Sequence, residues 1–102
     1  MRTINDKIDG DMSISDAVTV HGMLAGDITV LSRGELTLYG MCCQQLVIQP
    51  GGQAIVHGMV LGRVTNLGGR LEIYGMVGGV VGLAGETYVA PSALVRDATP
   101  KA

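Results

Sequence analysis

VTVHGMLAGDITVLSRGE, from Val18 to Glu35, is followed directly by LTLYGMCCQQLVIQPGGQ, from Leu36 to Gln53, and the two segments match in residue character almost position by position. Two further segments continue the series, AIVHGMVLGRVTNLGGR from Ala54 to Arg70 and LEIYGMVGGVVGLAGET from Leu71 to Thr87. Each contains a short stretch of alternating apolar residues, a ring-Gly-Met corner, a second short strand and a Gly-rich turn. The corner words are His21-Gly22-Met23, Tyr39-Gly40-Met41, His57-Gly58-Met59 and Tyr74-Gly75-Met76, so the spacing is almost constant along the chain. A fixed period of this length marks a stack of coils in which each repeat contacts only its neighbours.

The period also sets the interior. Val18, Leu36, Ala54, Leu71 and Tyr88 fall in one column, Val20, Leu38, Val56, Ile73 and Ala90 in a second, and Ile28, Leu46, Val64 and Val81 in a third. If each coil rises by one strand spacing, roughly 4.8 Å, equivalent residues stack and the columns join into one aliphatic core. A helix is excluded because the apolar residues alternate with period two and glycines interrupt every window long enough to form one. IDGDMSISDA (Ile8–Ala17) matches the second half of a coil, and YVAPSALV (Tyr88–Val95) the first half, with Pro91-Ser92-Ala93 replacing the corner word. The expected architecture is a single-domain, all-β parallel β-helix (β-solenoid) of about five coils of 17–18 residues over 8–95, with polar tails at 1–7 and 96–102. A right-handed coil is expected from the general preference of parallel crossovers. Apolar residues at six-residue intervals also occur, but Ile28 and Leu46 sit where a left-handed hexapeptide coil wants small residues.

Composition narrows the function. Of 102 residues, 47% are hydrophobic, with no Trp, no Phe and three Tyr, so aliphatic side chains must fill the core. A net charge of −2 provides neither the basic stripe of a nucleic-acid binder nor a polybasic membrane patch. The opening MRTINDKIDGD has no apolar run of the signal-peptide kind, and a cytoplasmic protein is expected. Cys42 and Cys43 are adjacent and point to opposite sides of a strand, so reduced thiols are expected.

Candidate sites are few. His21, Tyr39, His57 and Tyr74 follow inward residues, so they should face outward as a narrow stripe of rings. Such a stripe steadies a corner or packs against a partner. With Ile55 and Val89, apolar residues read as outward-facing, these four are the candidate protein-binding residues. Met23, Met41, Met59 and Met76 form a column suited to filling a corner. No metal site is expected, since His21 and His57 are two coils apart, roughly 9.6 Å along the stack, with Tyr39 between them. The Pro50-Gly51-Gly52 and Leu67-Gly68-Gly69 turns lack the Lys-Ser/Thr and helix of a phosphate loop. No catalytic residues and no cofactor are expected. Asp27, Glu35, Glu72 and Glu86 are scattered over outward positions.

The apolar-x-Gly-x-apolar words Ile8-Asp9-Gly10-Asp11-Met12, Leu24-Ala25-Gly26-Asp27-Ile28 and Val60-Leu61-Gly62-Arg63-Val64 resemble those of the bactofilins, a polymer-forming bacterial cytoskeletal family. The resemblance covers about 8–95 and implies a right-handed β-helix that assembles end to end into scaffolding filaments, without nucleotide. Two other functions are consistent with the residues. One is a small rigid module that binds another protein, as an immunity protein or inhibitor does. The other is a fragment of a hexapeptide-type acyltransferase, for which the chain offers no catalytic His in a loop insertion. The expected partner is a second copy of the chain or another protein.

Overall fold

The computed structural model describes residues 2–97. The alternating segments form strands because alternation lets a pleated ribbon bury one side and wet the other. In chain order they are β1 (Arg2–Ile4), β2 (Lys7–Ile8), β3 (Met12–Ile14), β4 (Ala17–Val20), β5 (Met23–Leu24), β6 (Ile28–Val30) and β7 (Glu35–Leu38). There follow β8 (Met41–Cys42), β9 (Leu46–Ile48), β10 (Gln53–Val56), β11 (Met59–Ile73), β12 (Met76–Val89) and β13 (Leu94–Asp97), with no helix among the described residues.

All pairings are parallel and they sort the strands into three stacks. The first contains β1, β4, β7, β10, residues 70–73 of β11 and residues 86–89 of β12. The second contains β2, β5, β8, residues 59–60, residues 76–77 and β13. The third contains β3, β6, β9, residues 64–66 and residues 80–82. The chain visits the stacks in that order on every turn, so the molecule is a β-solenoid of about five coils. Its long dimension is 35 Å against 24 and 22 Å across.

The core runs along the axis as columns. Val18, Leu36, Ala54 and Leu71 are buried in one, Val20, Leu38, Val56 and Ile73 in a second, and Leu24, Cys42, Val60 and Val77 in a third. Ile28, Leu46 and Val64 make a fourth, and Ile14, Val30 and Ile48 a fifth. The corners hold because backbone meets backbone there. The Tyr39 and Gly40 amides both donate to the Val20 carbonyl, and the Met41 amide to that of Gly22. At Gly40 an added Cβ would land on the Gly22 carbonyl oxygen, which is why the corner word keeps glycine in the middle. Asp11 and Asp27 tie a second corner, accepting from the Asp27 and Gln45 amides of the coils that follow them.

The fifth column changes chemistry at Asn66, which takes the place of Ile14, Val30 and Ile48 and is fully buried. Its Oδ1 accepts from the Gly68 and Gly69 amides at 3.1 and 2.8 Å. Its Nδ2 donates to the Gly69 carbonyl, the Glu86 carbonyl and the Thr87 hydroxyl at 2.9–3.1 Å. A buried amide is tolerable only when both ends are satisfied. Here it fastens a shortened turn to the next coil.

The structure corrects the expected boundaries and the expected register. Of the segment 1–7, residues 2–4 form β1 and Lys7 opens β2, the first rungs of the first two stacks, in register with Val18–Val20 and Met23–Leu24, while Met1 lies outside the described residues. Ile4 lies under Val20, so the first coil is shorter than the repeat and the longer period of the sequence misses it. Past Ile73 the coil shortens again: Val64 stacks on Val80 rather than Val81, and Leu71 on Thr87 rather than Tyr88. Ile73 stacks on Val89, and Ala90 moves into the position that Tyr74 occupies one coil earlier, its amide donating to the Ile73 carbonyl. Of the segment 96–102, residues 96 and 97 belong to β13, and the rest lies outside the described residues.

Candidate functional site

The ring ladder stands at the corner between the first and second stacks. Each ring follows an inward Val, Leu or Ile, so strand alternation turns it out, and the parallel register places it over its equivalent. His21 stacks on Tyr39 at 5.1 Å between centroids, Tyr39 on His57 at 4.9 Å and His57 on Tyr74 at 5.2 Å, with planes within 12° of parallel. Tyr88 adds a fifth ring, 6.0 Å from Tyr74 and tilted by 57°. The shortened step puts it beside Glu72 in the outward column, hence the tilt. Tyr74 donates to Glu72 Oε1 at 2.6 Å, and this bond to a carboxylate holds the phenol protonated and raises its pKa. Arg70 lies 3.4 Å from the other Glu72 oxygen and 3.8 Å from Glu86.

Across the glycine corner stands a second ladder of Met23, Met41, Met59 and Met76, all half-buried and in mutual register. Between the two ladders runs an open groove of about 630 Å³, lined by His21, Tyr39, Met23, Met41 and Met59 among others, with Asn5, Asp6 and Lys7 at its N-terminal end. Both cysteines are free thiols. Cys42 faces the core, where burial above all pushes its pKa from 9.0 to about 11. Cys43 points the other way and its Sγ sits 4.0 Å from Met41 Sδ.

Ile55 and Val89 do not share a surface. Ile55 is half-buried in an outward column between Thr37 and Glu72. Val89 does not face outward between core positions, because the shortened step moves it into the inner column of Val56 and Ile73. It is nevertheless 41% exposed, since among the described residues no further coil covers it. Leu83 (67% exposed), Leu94 (55%) and Tyr88 (50%) are exposed too, Leu94 on the second stack and Leu83 in the turn after the third, and the repeat singles out none of them. Their signal is the loss of the regular period after Gly75.

Compared with known proteins, the chain matches no family model, no curated protein and no solved structure. Among the described residues, no helix is long and apolar enough to cross a membrane.

Proposed function

We propose that this chain is a non-enzymatic, bactofilin-like scaffolding protein of the cytoplasm whose copies join end to end, so that the last coil of one stacks on the first coil of the next. The observation that carries this reading is the open C-terminal end. There residues 86–89 of β12 pair on one edge only among the described residues, and inner-column side chains are left in water. An unpaired parallel edge with apolar side chains is a template for another chain. The register supports a head-to-tail join: Val89 would meet Ile4 of the next copy and Val95 would meet Ile8, extending two inner columns without a break. The coil step favours it too, because the short step of the first coil returns from Val64 to Val80 and from Ile73 to Val89. Free thiols suit a reducing compartment.

Sedimentation velocity over a wide concentration range, with electron microscopy of the same samples, tests the proposal. Wild-type protein should form rods that lengthen with concentration. Val89→Lys and Leu94→Lys should give monomers with unchanged circular dichroism. A wild type that stays monomeric at high concentration, or charged variants that assemble like wild type, would overturn it.

A further inference from the structure

The methionine ladder and Cys43 bring thioethers and one outward thiol to the same edge of the second stack, where Met23, Met41 and Met59, though not Cys43, line the open groove. We infer that this edge binds a soft monovalent cation, Cu(I), through the Cys43 thiolate, the Met41 thioether and one of the neighbouring thioethers of Met23 and Met59.

The distance between the first two donors fits the task. Two sulfurs bonded to one metal at about 2.3 Å, with the 120° angle of a trigonal site, stand about 4.0 Å apart. Cys43 Sγ and Met41 Sδ are 4.0 Å apart. Met23 and Met59 are the register partners of Met41 in the coils before and after it, one strand spacing away, roughly 4.8 Å at the backbone. The unbranched methionine side chain has three rotatable bonds, enough to bring either Sδ to the third vertex. All three thioethers line the groove, so the cation has a way in.

The donor set also selects the ion. Thiolate and thioether sulfur favour Cu(I) over hard or borderline divalent ions. Among the described residues no three of His, Cys, Asp and Glu converge as a zinc site would require. Cys42 cannot substitute for Cys43, because it points into the core. Binding exchanges the Cys43 thiol proton for the metal, so each Cu(I) taken up releases one proton.

The full chain is titrated anaerobically with Cu(I) against the chromophoric chelator bicinchoninate, and separately with redox-inert Ag(I), followed by iodoacetamide labelling and mass spectrometry. One Cu(I) per chain should be retained and one proton released, and Ag(I) should protect Cys43 from alkylation. Cys43→Ser, Met41→Leu and the double variant Met23→Leu/Met59→Leu should each weaken Cu(I) binding by about tenfold or more, the effect that even outer-shell partners can have. Met76→Leu, two coils from Met41 and not on the groove wall, should match wild type. Loss of all copper from the wild type to the chelator would overturn the inference. So would ligand variants that hold copper as wild type does, or Zn(II) bound as tightly as Cu(I). Strand content by circular dichroism separates loss of binding from loss of fold.

Discussion

Asn66 shows what the repeat conceals at the scale of one residue. Aligning the coils recommends isoleucine or valine there, since Ile14, Val30 and Ile48 fill the same column. Asn66→Ile should nevertheless destabilise the protein by roughly 3 kcal/mol, because the half-buried Gly68 amide, the buried Gly69 amide and the Glu86 carbonyl would lose their partner at about 1 kcal/mol each. A lower urea midpoint with unchanged slope would show it; a variant as stable as wild type would refute the assignment. Nothing in the local sequence separates this asparagine from a turn residue. Its role depends on Glu86 and Thr87, which only the coil stacking brings to it. Cys42 supplies a second prediction at this scale. Its thiol titrates near 11 when folded against 9.0 ordinarily, so the folded chain holds a proton that the unfolded chain gives up between those values. Stability from this group is complete below pH 9 and declines as pH rises toward 11. Equilibrium unfolding from about pH 8 to 11 should show that decline in wild type and a shallower one in Cys42→Ala.

At the scale of the element, the corner word was legible and its neighbours were less so. The rings, glycines and methionines recur as near-identical words, and the parallel register turns each recurrence into a stack, so their positions followed from spacing alone. The registers of the first and last coils escaped because their steps depart from the repeat and they lack the word: Asn5-Asp6-Lys7 stand where a ring, a glycine and a methionine stand elsewhere, and in the last coil Ala90 takes the place of the ring and Leu94 that of the methionine. Ile4, Ile8 and Met12 precede Val20, Leu24 and Ile28 by one and the same shorter step, and a search at that step would have found them. The corner itself is tested by comparing two glycines. Gly40→Ala drives a methyl group into the Gly22 carbonyl and should cost about 3 kcal/mol, whereas Gly10→Ala meets open space and bears only the strain of φ 88°, about 1 kcal/mol. Chemical denaturation of the two variants should rank them in that order, and equal costs would count against close coil contact as the reason for the glycine.

For the whole molecule, fold and interior were legible because a stack of coils converts one-dimensional spacing directly into three-dimensional adjacency. The ends were not, because periodicity describes what repeats and an end is where repetition stops. The three stacks also make length a quantity that changes only in whole steps. Residues 36–53 form one complete period, and their removal joins Glu35 to Ala54 with every column still aligned. The shortened chain should fold, and small-angle scattering should find it shorter by one strand spacing, roughly 4.8 Å. Removing only the second half of that segment should instead abolish cooperative unfolding, since the strands that follow would meet the wrong stacks and their inward and outward sets would no longer match. The protein is in this sense a ruler graduated in coils. Evolution can lengthen or shorten it by copying or deleting a whole graduation, while any fractional edit must be absorbed at a corner, where the shortened steps already lie.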